Sequence, residues 1–349
     1  MPAVTPRFMT DLETNMSVVS ENEYNRLTQN LWWPEITKVR QTQAGREIIS
    51  WLLSTAQIKD EGPKGGNIRF DDLVSMYTTL EPRFSGTGLR LTKQQFEDTD
   101  GQGINLAAEW SGQVGAQFAY WPQEQAANFL MTAHLAGRFT GYDGKPFFAT
   151  DHPTNPFRTG AAFANVFTGA AVPATGYPGA LPIDEPTVSA DVALQNLQKA
   201  YGYIAGLKMP NGRQPRRLRP RFILAPPLLM PRLVQLTSAK FIAQSAAGGG
   251  AAPADIEAII ALLGYAAPVQ ADELAGFEDN RTFFIACEQI TSSQLGALIY
   301  LEREPYSIKF YGPQTEAELD RRDEYEWHAK GRNGLGAGHP FLLFKVRAV

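Results

Sequence analysis

The sequence predicts an α+β fold, and three observations carry that prediction. Helical and strand-like periodicity succeed one another in blocks rather than in regular alternation. One helical block, between residues 101 and 138, runs for more than thirty residues, and from residue 281 onward the pattern is strand.

Composition sets the frame. A chain of 349 residues is too long for one small core, so two domains or one elaborate domain are expected. A hydrophobic content of 44% indicates a folded protein. Charged residues make up 19%, below the roughly 25% of an average soluble domain. That deficit suits a surface partly covered by copies of itself, and equally suits some enzymes. The net charge of -4 argues against a dedicated nucleic-acid binder. Cys287, in the apolar run after Phe283, is expected to be a buried thiol. A single cysteine allows neither an internal disulfide nor a cysteine-based zinc site. The first residues lack the regions of a signal peptide, and no apolar run approaches the ~18 residues of a membrane span. A cytoplasm-like compartment is the expectation.

Taken in order, residues 1–20 read as an extended arm without periodicity. Helical spacing appears from Glu23 to Trp33 and from Val39 to Ile58, where Ile48, Ile49, Leu52, Leu53 and Ala56 form an apolar stripe. Strand-like residues from 67 to 98 predict a long hairpin, with its turn at Ser85-Gly86-Thr87-Gly88 just after Arg83 and Phe84. Such a hairpin either packs on its own domain or reaches over a neighbour, since an isolated one is marginal in water. Trp110, Val114, Phe118 and Trp121 then share one helix face, with Pro122 as a kink or restart. Gly141 to Pro156 combines two glycine turns, Phe147-Phe148 and Asp151-His152. Residues 157–187 read as a loop rich in Ala, Gly and Pro. Further on come a helix over Ala190–Leu207, a strand at Phe222–Ala225, a helix from Leu228 to Phe241 and a flexible tip at Gln244–Pro253 centred on Gly248, Gly249 and Gly250. A helix at Asp255–Leu263 and a strand at Ala267–Ala271 follow. The closing strands are Thr282–Cys287, Ala297–Leu301, Tyr306–Phe310, Asp323–Lys330 and Phe341–Val346.

Asp151-His152 suggests a metal or a proton relay, but none of His134, His152, His328 and His339 has the spacing of a helical zinc motif. A solvated or capping Asp-His before a proline is the favoured reading. Gly331 to His339 resembles a phosphate loop only superficially, because the Gly-Lys-Ser/Thr element is missing; a glycine-rich β-turn is expected. The arginines Arg213, Arg216, Arg217, Arg219 and Arg221 read either as a solvated loop or as a patch facing nucleic acid or an acidic neighbour. Glu316, Glu318, Asp320, Asp323, Glu324 and Glu326 form a candidate acidic counterpart. No metal, cofactor or catalytic residue is assigned.

The run Leu91-Thr92-Lys93-Gln94-Gln95-Phe96-Glu97-Asp98, followed by Tyr142-Asp143-Gly144-Lys145-Pro146-Phe147-Phe148-Ala149-Thr150-Asp151-His152-Pro153, resembles the Mu-like phage major head subunit family. Looser similarity continues through Ala193–Tyr201, Phe222–Phe241 and Tyr300–Pro305. The resemblance implies the tailed-phage capsid fold of phage Hong Kong 97, with an N-terminal arm, an extended hairpin loop, a peripheral domain with a spine helix, and an axial domain. On that template 1–66 would be arm and helices, 67–98 the extended loop, 99–156 the peripheral domain, 157–280 the axial domain, and 281–349 strands returning to the peripheral domain.

The implied function is a non-enzymatic major capsid protein that assembles into the icosahedral shell of a tailed double-stranded DNA phage or prophage. Arg83, Phe84, Ser85, Gly86, Thr87 and Gly88 would form an inter-subunit hairpin tip. Gly248, Gly249 and Gly250 would lie near the axis of hexamers and pentamers, and Arg213, Arg216, Arg217 and Arg219 would face an interface or DNA. Scaffold, portal and decoration proteins are implied partners, packaged DNA is bound non-specifically, and no membrane is involved. The expected location is the virion capsid, assembled in the host cytoplasm. The alternatives are an encapsulin-like compartment of the same fold and a metal-dependent hydrolase using Asp151, His152 and His134.

Overall fold

In the computed structural model the described residues are 6–53, 74–92, 94–95, 102–155, 161–184, 188–208, 216–237, 266–289, 296–311 and 324–348. The fold is α+β, organised along one long helix that serves two hydrophobic cores.

Helix α1 (Pro6–Thr28) occupies the place where an arm was expected. Its buried side is narrow: Leu12, Met16 and Ser20 recur every four residues, and Ser20 makes the stripe hard to see as apolar. A short turn α2 (Trp33–Ile36) buries Trp33 and Ile36, and β1 (Thr37–Gln41) follows. The helix expected over 39–58 is absent from its described part, where β2 (Glu47–Leu53) pairs antiparallel with β3 (Val74–Leu80). Ile48 is 67% exposed and its neighbour Ile49 only 3%, the two-residue alternation of a strand. The β-branched and aromatic run Ile48-Ile49-Ser50-Trp51 favours that outcome.

The hairpin turn expected at Ser85–Gly88 is also corrected. These residues lie inside β4 (Arg83–Thr92), which pairs antiparallel with β12 (Glu324–Ala337). Gly86 is there for close approach: a Cβ would collide with the Ala329 carbonyl. The hairpin in this part of the chain is β2–β3 instead.

The spine helix α3 (Gln102–Thr132) has 31 residues, about 46 Å at the usual helical rise. Before Pro122 it buries Ala107, Val114 and Phe118 against α1, Leu91 and the aromatic residues Tyr325 and Trp327. After Pro122 it buries Ala126, Ala127, Phe129 and Leu130 in the larger core. Pro122 cannot donate a backbone hydrogen bond. Trp121, expected on the buried face, is 39% exposed because the buried side changes there.

The larger core is closed by the five-stranded sheet β7-β13-β10-β8-β9. Its members are β7 (Val166–Phe167), β8 (Leu218–Ala225), β9 (Ala267–Gln270), β10 (Thr282–Gln289) and β13 (Leu343–Arg347). Two helices cover it: α4 (Ala190–Gly206), capped by the Ser189 hydroxyl accepting from the Val192 amide, and α5 (Met230–Thr237). The smaller sheet runs β1-β11-β12-β4, with β11 (Leu298–Phe310) continuous where two strands were expected. Thus β10 and β13 do not return with β11 and β12 to the sheet beside α1; they complete the sheet of the chain's middle. Gly331 to Ala337 is strand, not the expected β-turn. Gly331 lies under the Tyr306 ring and Gly336 against Leu80, with no room for a Cβ at either. Residues 157–187 include β6 (Ala162–Phe163), paired with β5 (His152–Pro153), and β7, so the expected loop is partly ordered onto the sheets.

Candidate functional sites: the buried junction and the assembly surfaces

The junction after the spine helix is built by tight turns. Gly137 and Gly144 take φ of 76° and 74°, the left-handed region glycine adopts freely. The Gly141 amide donates to the Lys145 carbonyl at 2.8 Å, which brings Asp143 back towards His152. Phe147 and Phe148 are buried against Phe129, with Phe148 also touching Phe284 of the five-stranded sheet. Burying such a ring contributes about 1.5–3 kcal/mol.

Asp151-His152 was expected to be solvated or capping; His152 is fully buried. Its Nε2 donates to the Phe147 carbonyl at 3.0 Å, and its Nδ1 stands 2.9 Å from Asp143 Oδ2. Each ring nitrogen therefore faces an oxygen atom, one of a backbone carbonyl and one of a carboxyl group. Burial pushes the Asp143 carboxyl up, but the hydrogen bond and charge of His152 outweigh it and leave the group below its ordinary range. The Tyr142 hydroxyl donates to the Pro153 carbonyl at 2.7 Å. Asn165 donates from Nδ2 to the carbonyls of Phe147 and Pro340, at 2.7 and 3.2 Å, and accepts from the Ala149 amide. Asp151 faces Lys145 at the surface instead.

This arrangement holds three chain segments together and leaves no open nitrogen on His152. His134 rests against Phe277, 6.4 Å between ring centres, with burial lowering its pKa. Among the described residues no three of His, Cys, Asp or Glu gather as a metal site.

The arginine cluster divides. Arg216 is buried, its guanidinium 4.1 Å from the Phe341 ring centre, and burial pushes its pKa down to about 10. It therefore does not belong to a surface patch. His339 beside it is driven down to about 3 by burial and by the Arg216 charge. Arg217 and Arg219 are exposed, and Arg221 pairs with Glu35 at 3.0 Å. Glu324 and Glu326 pair with Arg90 of β4, at 3.3 and 2.8 Å. Arg213, Glu316, Glu318, Asp320 and Asp323 lie outside the described residues, as do the tip glycines Gly248, Gly249 and Gly250 and the helix expected at 255–263.

One buried connection had no sequence signal. Just past Pro122, Gln123 accepts from the Trp32 amide at 3.1 Å and donates to Glu273 at 2.5 Å, and the Trp32 indole donates to the same carboxylate at 3.2 Å. The residues concerned are polar types scattered over three elements, and only the fold brings them together.

The family model described as Mu-like prophage major head subunit gpT matches residues 12–175. The capsid structure of the cyanophage P-SCSP1u is similar, at 13% identity and a TM-score of 0.53, with 91% of this chain and 88% of that chain covered. The mature capsid of bacteriophage PhiM1 gives 12% identity and a TM-score of 0.50, covering 91% and 87%. No curated protein sequence matches the chain. Residues 12–175 are thus similar to the Mu-like prophage major head subunit family, and the chain has the fold of tailed-phage capsid proteins.

Proposed function

We propose that this major head subunit works by geometry, as a rigid tile that repeats around an icosahedral shell and performs no chemistry of its own. The observation that carries the reading is the family match, to which the fold adds a physical basis. A single helix anchored in two cores holds the subunit together, and the β2–β3 ribbon, seated on its own subunit through Ile49 and Leu80, keeps Ile48 and Tyr77 exposed to meet another copy. That ribbon, not residues 83–88, takes the part of the hairpin reaching a neighbour. Closed symmetry then multiplies modest contacts into a stable shell of hexamers and pentamers.

The inner wall would meet packaged double-stranded DNA through charge alone, without base readout. Scaffold and portal proteins would guide closure, with assembly in the host cytoplasm. Electron microscopy of the purified protein tests the reading. Shells, tubes or capsomer rings are expected, and a strictly monomeric protein under every assembly condition would overturn it.

A further inference from the structure

Folding leaves open a groove of about 650 Å³ between the spine helix and the corner joining β3 to β4. Phe84, 63% exposed, and Trp121, 39% exposed, supply its apolar surface. Arg46, Arg83 and Arg138 line it together with one carboxylate, Glu81, so three positive charges face one negative. Glu81 pairs with Arg46 at 3.4 Å, and neither Arg83 nor Arg138 has a carboxylate partner among the described residues. Arg332 adds a further guanidinium, 4.8 Å from the Phe84 ring centre. Exposed aromatic rings beside surplus guanidinium groups, on a chain of net charge -4, fit an acidic and partly apolar partner.

The chain's own sequence contains such a partner. Glu316-Ala317-Glu318-Leu319-Asp320 alternates three carboxylates with two apolar residues in the connection between β11 and β12, outside the described residues. In its own subunit the run is tethered: Leu319 is five residues from Glu324, a reach of about 18 Å, while Phe84 pairs in register with Arg332, eight residues along β12 from Glu324 or about 26 Å, so the two meet only at full stretch. The run of a neighbouring copy carries no such tether.

We propose that the groove receives the Glu316–Asp320 run of a neighbouring copy, with Leu319 against Phe84 and Trp121 and the carboxylates against Arg46, Arg83 and Arg138. The inference rests on the shell reading and names one of its contacts. The test compares the full-length chain with three variants by electron microscopy and size-exclusion chromatography, with circular dichroism to confirm folding. The first carries Glu316→Lys, Glu318→Lys and Asp320→Lys; the second carries Arg46→Glu, Arg83→Glu and Arg138→Glu; the third carries all six.

Each single set is expected to lower shell yield at least tenfold with folding intact, and the six-fold variant to regain most of it, because the reversed surfaces again match. Disulfide-linked oligomers of an Arg83→Cys, Leu319→Cys variant within assembled shells give an independent readout. Normal assembly of either single set, or no recovery in the six-fold variant, overturns the contact while wild-type shells leave the shell reading standing. Loss of nucleic-acid content alone from the arginine set, with shells intact, also overturns it in favour of a nucleic-acid surface. A wild-type chain that never assembles removes the shell reading and this contact with it.

Discussion

The two ends of the spine helix sit in cores of different construction. After Pro122 the helix enters a broad core shared with two helices and a five-stranded sheet, where Phe129, Phe147, Phe283, Phe284 and Phe344 are almost wholly enclosed. Before Pro122 it meets a smaller core, built from α1, Leu91 and one face of the β11–β12 ribbon. There α1 is seated closely enough on the spine helix that a Cβ at Gly115 would run into the Ser20 carbonyl. The larger core draws on two helices and a five-stranded sheet, while the smaller one depends on α1, seated through Leu12, Met16 and Tyr24. A tile that must fit several shell positions gains by confining its adjustable part to one end.

The largest expected effect breaks the larger core at the junction. Asp143→Ala leaves the buried His152 without its carboxylate, and losing one partner of such a pair costs about 3–5 kcal/mol. Thermal unfolding should show the main transition falling steeply. Acid acts on the same core. The carboxyls of Asp143 and Glu278 are both held below their ordinary values of 3.8 and 4.5. Their folded pKa values lie below the unfolded ones, so the stability they contribute is present above about pH 4.5 and is lost as pH falls through the folded values. Acid titration followed by near-ultraviolet circular dichroism should show the aromatic signal of the larger core failing below pH 4, and failing at higher pH once Lys345→Met removes the partner of Glu278.

A smaller and more local effect is expected at the other end. Gly115→Ala pushes α1 away from the spine helix at a cost of about 1–3 kcal/mol. Hydrogen exchange should rise across residues 6–28 while β8, β10 and β13 stay protected. Equal loss of protection in both regions would show that the cores are not separable. The smallest effect belongs to Arg90→Ala, which removes exposed pairs with Glu324 and Glu326 worth about 0–1 kcal/mol and should leave the unfolding temperature nearly unchanged.

The same contrast governs what could be read from the sequence. Elements with one-sided apolar periodicity were legible: the spine helix through Val114 and Phe118, α4 through Leu197 and Ile204, and β8 through its buried run to Ala225. At the smaller end Tyr306–Phe310 and the first part of β12 were legible as strands, but α1 and β2 were not. The buried face of α1 passes through Ser20, and the pairs Ile48-Ile49 and Leu52-Leu53 fit a helical stripe although the strand sends alternate residues to opposite sides. Gly86 and the glycines of 331–336 imitate turn signals while serving close packing. At the junction Asp151-His152 drew attention, but the working partner of His152 is Asp143, nine residues earlier, placed by a turn that no spacing rule encodes. Burial of Arg216 was equally hidden, since its neighbours in the chain are surface arginines.

A reconstruction of the assembled shell by electron cryomicroscopy tests the central claim most directly. It should show each subunit with its larger core unchanged between shell positions, β4 paired to β12 of the same molecule, and the β2–β3 ribbon lying on a neighbour. A shell in which the exposed face of that ribbon, with Ile48 and Tyr77, meets no neighbour, or a protein that yields no shell at all, would contradict it.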